Sequence, residues 1–298
     1  MAPLTQTKTN QSTLTRQSFS WTWVGVAPFF LFVAAFLIWP TLSIIGQSFL
    51  DQERRLTLHN ILELGRPFIV SSYVYSVQLS AVTAIGGGLL GGLLAYAITI
   101  GGLPRPLRDA VISFSGVASN FAGVPLAFAF IATLGQLGVV TQWLRSVGIS
   151  LYPAFSLYSF WGLCIVYIYF QIPLMVLIMA PAFEGMRREW REAAESLGAN
   201  GWQYWRYVGL PILLPSILGT TVLLFGNAFG AHATAFQLTG GGSQGNVVTI
   251  LIGAQISSDA LANPGLGNAL ALGMIVIMGM SIGLYTWLQR LSARWLRS

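Results

Sequence analysis

The sequence predicts an all-α membrane protein with six transmembrane helices, and three observations carry that prediction. Hydrophobic residues make up 54% of the 298 residues and charged residues only 8%, about a third of the roughly 25% charge of a soluble domain. So few charges cannot cover a water-facing surface, which excludes a soluble enzyme, a disordered chain and a coiled coil. A window of about 19 residues finds six apolar stretches, each of about 20 residues or more and so long enough to cross a hydrocarbon core as a helix. None of the six contains Asp, Glu, Lys or Arg.

The stretches are Trp23–Phe49, Tyr73–Ile100, Ala110–Leu134, Phe155–Phe183, Pro211–Phe236 and Leu266–Leu288. The first is about twice as long as a signal-peptide core and no small-x-small site follows it, so it is a span and not a cleaved leader. Residues 1–20 before it are polar, rich in Thr, Ser and Gln, and predict a disordered cytoplasmic tail. A seventh apolar run, Val247–Ile256, is too short to span and predicts a capping or re-entrant segment. Gly87 with Gly91, and Gly88 with Gly92, form two G-x-x-x-G pairs in the second span, which lets a neighbouring helix approach closely. Pro125, Pro173 and Pro181 are expected to bend their helices or end them nearby. Cys164 is the single cysteine, so no internal disulfide exists.

Orientation follows from Arg and Lys. Eleven of the 15 basic residues fall on the side that carries the N-terminus, and Arg54, Arg55, Arg66 and Arg145 fall on the other. The first side is therefore the cytoplasm, with both termini there in a multi-pass inner membrane protein. Topology alone accounts for the net charge of +6, with membrane lipid and no nucleic acid as the implied surroundings.

Several chemistries are missing. Ion-coupled carriers place Asp, Glu, His or Lys within the membrane, and His232 is the only such side chain in the six stretches. A P-loop needs a lysine after its glycines, and the only lysine is Lys8; Gly240-Gly241-Gly242 leads into Ser243-Gln244 and reads as a flexible outer loop. Neither H-E-x-x-H nor G-x-S-x-G is present, and no metal cluster is indicated. Energy for uphill transport must come from a partner.

The loop between the fourth and fifth stretches, residues 184–210, holds four of the nine acidic and four of the 15 basic residues. It predicts a helix from about Ala182 to Leu197 with Glu184–Arg188, Arg188–Glu192 and Arg191–Glu195 at i,i+4. Gly198 is placed to end it in the left-handed conformation. Asn200 is placed to cap a second short helix, whose Trp202, Tyr204, Trp205 and Tyr207 suit a membrane interface. Pro211 then suits the first turn of span five. Charge pattern alone equally describes an amphipathic loop resting on headgroups.

The spacing is more specific. Glu192-Ala193-Ala194, three residues, Gly198, nine residues, Val208, one residue, Leu210-Pro211 resembles the E-A-A-x3-G-x9-I-x-L-P signature of binding-protein-dependent ABC import permeases, with Val208 for the usual Ile. The resemblance implies a MetI-like, type I importer core of five helices over residues 73–298. One peripheral helix and an outer loop would precede it in 21–72. It implies that Glu192, Ala193, Ala194 and Gly198 dock on a separate cytoplasmic ATPase dimer, which binds ATP and Mg, and that Val208, Leu210 and Pro211 fix the junction with span five. It also implies a second permease subunit and an extracytoplasmic binding protein, with no catalysis in this chain. The C-terminal third looks most like the spermidine/putrescine branch, whose relatives handle phosphonates, iron(III), thiamine or sulfate. The spans offer no carboxylate for a polycation. Asn120, Gln171, Asn227 and His232 are the deepest polar residues, and either line the path or bond across helices. A secondary carrier using His232, or a membrane scaffold, are the other classes.

Overall fold

The computed structural model describes residues 22–51, 53–240, 247–257 and 263–295. The predicted tail and residues 241–246 of the Gly-rich loop lie outside them. The chain divides into two compact units, Met1–Ser43 and Ile44–Ser298. The first carries α1 (Thr22–Val33), a π turn (Ala34–Ile38) and the start of α2 (Trp39–Ser48). The π turn precedes Pro40, whose ring lacks an N–H and clashes with the carbonyl four residues back, so the wider turn lets the helix continue.

In the second unit a short α3 (His59–Glu63) leads to α4 (Pro67–Thr99), which starts with proline at its first position. Then come α5 (Arg105–Asn120), α6 (Val124–Leu134), α7 (Val139–Ser146) and α8 (Phe160–Glu184), with α8 capped by the Ser159 hydroxyl accepting from Gly162 N–H at 3.2 Å. The segment after α8 forms α9 (Arg188–Ser196) and α10 (Gly201–Tyr204). A π turn (Trp205–Gly209) joins α10 to α11 (Leu210–Phe229). The chain closes with α12 (Ala233–Thr239), α13 (Val248–Ser257) and α14 (Pro264–Trp295). Among the described residues, six helical segments are long and apolar enough to cross a membrane.

Two expected spans are corrected. The stretch Ala110–Leu134 is not one helix but α5 and α6, broken at Phe121–Gly123. Gly123 sits at φ +73 and Pro125 lies at the start of α6, where a continuous helix would drive its ring into the Phe121 carbonyl. The stretch Pro211–Phe236 breaks at Gly230–His232 between α11 and α12. At its other end it extends backwards, so that Gly201–Phe229 is a continuous helical run. Pro211 stands in the first turn of α11, as expected, and the π turn ahead of it lets the helical run pass into α11 without a break, as at Pro40. The run Val247–Ile256 is the short helix α13, packed on α14 and α4.

α8 is the centre. It packs against α4, α5 and α11, and 61% of its span is buried against 11% for Pro264–Arg290. Lipid supplies little hydrophobic drive between helices, so close packing and buried hydrogen bonds hold them. A Cβ on Gly87 would lie 2.4 Å from Gln171 Cβ, and one on Gly91 would lie 2.6 Å from the Ile172 carbonyl oxygen and from Met175 Cβ. The second pair is looser: the nearest atom to a Cβ on Gly88 is Thr221 Oγ1 at 3.7 Å. The glycine pairs thus serve packing within the chain. The Gln171 amide donates to the Leu224 carbonyl at 2.8 Å, and the Ser76 hydroxyl accepts from Val248 N–H at 2.8 Å.

Gly91→Ala pushes a methyl into backbone, and overpacking of this kind costs about 1–3 kcal/mol, more than the ~1 kcal/mol that alanine gains in a helix. The variant is expected to melt below wild type in detergent, while Gly88→Ala melts at or above it. A Gly91→Ala protein as stable as wild type contradicts this packing.

Candidate functional site

The elbow is built from local rules. α9 ends in a Schellman motif: Gly198 takes φ +79, its N–H donates to Glu195 C=O at 2.9 Å, and Ala199 N–H donates to Ala194 C=O at 3.0 Å. α10 begins with a capping box. Gln203 N–H donates to Asn200 Oδ1 at 2.9 Å while Gln203 Oε1 accepts from Asn200 N–H at 2.8 Å. Two satisfied caps face each other across Leu197–Asn200, so backbone and side-chain bonds within the chain hold the turn. No atom lies within 4 Å of a Cβ built on Gly198, so glycine is needed there for its dihedral and not for space.

The predicted first helix is shorter than expected. Gly185–Arg187 separates α8 from α9, so the expected Glu184–Arg188 pair does not form. Glu184 instead binds Arg108 of α5, tying α5 to the end of α8. Arg191 Nε donates to Glu195 at 2.9 Å, as expected, and that bond holds the guanidinium further in its charged form.

Glu192 and Ala193 are exposed, whereas Ala194 is buried. Close approach of an outside surface therefore falls on Ala193, and Ala194 serves the return of α9 towards α10. Leu197 and Trp202 flank the turn and are among its most exposed apolar side chains. Val208 and Pro211 are half-buried, and Leu210 is exposed. The four expected interface aromatics split: Trp202 and Tyr207 are exposed, but Tyr204 is buried and Trp205 is half-buried. Trp205 meets Tyr96 of α4 edge-on at 5.2 Å, and Tyr96 meets Phe183 of α8 at 6.0 Å. A Cβ on Gly209 would lie 2.7 Å from the Trp205 ring. Aromatic packing thus anchors the elbow to the ends of α4 and α8, beside a cavity of about 510 Å³. Sequence reading missed Arg108, Trp205 and Gly209 in these roles; Gly209, between two motif positions, was the one available signal.

The four deep polar residues do not form one group. Gln171 is wholly buried between α8 and α11 and bonds across helices. Asn120 ends α5 and donates to Gly116 C=O at 2.9 Å. Asn227 and His232 line one cavity of about 380 Å³ at the two helix breaks, with Ser119 beside Asn120 on its wall.

The chain matches the family model described as binding-protein-dependent transport system inner membrane component over residues 146–298, just over half its length. It is 26% identical over 271 residues to the spermidine/putrescine transport system permease protein PotB of Haemophilus influenzae, covering 88% of this chain and 92% of that one. It is 27% identical to the sulfate transport system permease protein CysT of Salmonella typhimurium, covering 70% and 72%. A solved bacterial alginate ABC transporter in complex with alginate pentasaccharide-bound periplasmic protein shares the fold, with TM-score 0.70 at 16% identity, covering 90% of this chain and 93% of that one. The chain belongs to the binding-protein-dependent inner membrane component family, and is a permease subunit of an ABC importer.

Proposed function

We propose that residues 188–211 are the coupling element through which a separate cytoplasmic ATPase drives this permease, and that the chain itself hydrolyses nothing. The observation that carries the reading is the elbow: a pre-formed, capped turn with exposed Glu192, Ala193, Leu197 and Trp202, continuous with a span that ends at a polar cavity. Two permease subunits flank the path, and an extracytoplasmic binding protein delivers a small hydrophilic solute. ATP and Mg sit on the ATPase dimer. The termini face the cytoplasm, supported by the eleven-to-four distribution of basic residues. Family membership alone admits both a polycation and an oxyanion as solute.

Force follows two routes. Displacement of the turn moves α11 directly, because Gly201–Phe229 is one helical run of 29 residues, about 43 Å long at 1.5 Å per residue. The Trp205–Tyr96–Phe183 cluster carries the same displacement to α4 and α8.

Three outcomes test this. Glu192→Lys reverses the charge of an exposed side chain without touching a span, and is expected to weaken co-purification of the ATPase and abolish uptake in vesicles; wild-type uptake contradicts the docking role. Gly198→Val places a branched side chain at positive φ, a strain of roughly 1–2 kcal/mol, whereas Gly198→Asn tolerates that region. Uptake should fall in the order wild type, Asn, Val, and equal loss in both variants contradicts a purely conformational role. Trp205→Ala is expected to keep the ATPase bound but lower ATP-driven uptake by about tenfold, a coupling loss within the ~1–3 kcal/mol typical of linked sites. Topology has its own check: a reporter fused after Ser298 should be active only in a cytoplasmic format.

A further inference from the structure

Two helix interruptions meet at one place in the fold. Gly123 N–H, in the α5–α6 break, donates to Thr234 Oγ1 of α12 at 2.9 Å, and the Thr234 hydroxyl reaches back to Gly123 C=O at 3.4 Å. Thr234 is 2% exposed. On the α11–α12 side the Tyr167 hydroxyl donates to Ala231 C=O at 3.0 Å. Backbone groups that a break leaves open in a membrane are costly unless satisfied within the protein. Here Gly123 N–H and the Gly123 and Ala231 carbonyls find side-chain partners on other helices, which ties the two breaks into the fold.

Between the breaks lies the 380 Å³ cavity lined by Ser119, Phe170, Asn227 and His232. The Ser119 hydroxyl is spent on Gly116 C=O at 3.2 Å. The Asn227 amide and the His232 ring nitrogens make no hydrogen bond among the described residues; His232 only stacks on Phe236 at 5.5 Å. Asn227 is exposed and His232 half-buried, so both side chains are open to the cavity with their hydrogen-bonding groups uncommitted, as a solute-contact position needs.

The chemistry of the lining selects the solute. It holds no carboxylate, and neither do the six apolar stretches. Its one ionisable group, His232, is neutral or positive and never negative. Amide and imidazole N–H groups are donors; α6 starts at this cavity while α5 and α11 end there, so the helix ends lend it no net positive sign. A polyamine would meet one Phe face and no counter-charge, whereas an oxyanion would meet donors.

We propose that this cavity is a solute-contact station on the translocation path, with Asn227 and His232 as its specificity-determining residues, and that the solute is a small oxyanion and not a polyamine. The inference rests on the importer reading. The test uses the full complex, with its ATPase and binding protein, in vesicles. ATP-driven uptake of labelled sulfate, molybdate, methylphosphonate and spermidine is measured for wild type, Asn227→Asp, His232→Asp and His232→Asn. Co-purification of the ATPase reports that each variant has assembled. One of the three anions is expected to accumulate while spermidine does not. Each Asp variant should lower that uptake by about tenfold, the scale of one lost hydrogen bond to a charged group, and His232→Asn, which keeps a donor, should retain most of it. The proposal is overturned if spermidine accumulates, if none of the three anions does in a complex that hydrolyses ATP, or if both Asp variants transport at the wild-type rate. Absence of any associated ATPase would overturn the importer reading itself, and this proposal with it.

Discussion

The continuity of the helical run Gly201–Phe229 is the constraint on which the rest depends. One end begins at the Asn200 capping box, one residue beyond the Schellman turn at Gly198 and Ala199. Its other end carries Asn227 and stops at Gly230, beside the cavity. On the proposed reading, a single helical run between the elbow and the cavity needs no chain of side-chain relays to connect them. What makes it possible is the π turn Trp205–Gly209. Without that wider turn, Pro211 would force a break between the elbow and α11.

Around this run the packing follows from the residues that touch. α8 is held against α4 by Gly87 and Gly91, where backbone and Cβ atoms come too close for any side chain, and against α11 by the Gln171–Leu224 bond. In lipid such contacts must do what hydrophobic burial does in water. The breaks obey the opposite rule. At Phe121–Gly123 and Gly230–His232 the helices give up internal bonds, and Thr234 and Tyr167 supply replacements. Irregular backbone is thereby kept where it lines a cavity, while the run from Gly201 to Phe229 stays helical throughout.

Much of this was legible in the sequence, for physical reasons that differ by element. Apolar length identifies spans because the bilayer core has a fixed thickness. Gly198 and Asn200 were legible because caps are local: each satisfies backbone groups within three or four residues. The seven-position motif located the elbow but not which way its residues face; Ala194 turned inward, as did Tyr204. The breaks were harder. Pro125 marked one, yet hydropathy carries no signal for a kink inside an apolar stretch, and the run through Phe236 looks as continuous as any other. Thr234 and Arg108 were out of reach, since their partners Gly123 and Glu184 are distant in sequence and meet only in the fold.

The central claim is that the elbow touches the ATPase. Cys164 is the single cysteine and is buried, so Cys164→Ser gives a background in which one introduced cysteine reports alone. In native membranes, Ala193→Cys treated with a short bifunctional cross-linker is predicted to yield an adduct with the ATPase subunit, while Leu56→Cys, 87% exposed in the predicted outer loop, yields none. An ATPase that co-purifies yet forms no adduct from position 193, or one that forms equally from position 56, would contradict the account.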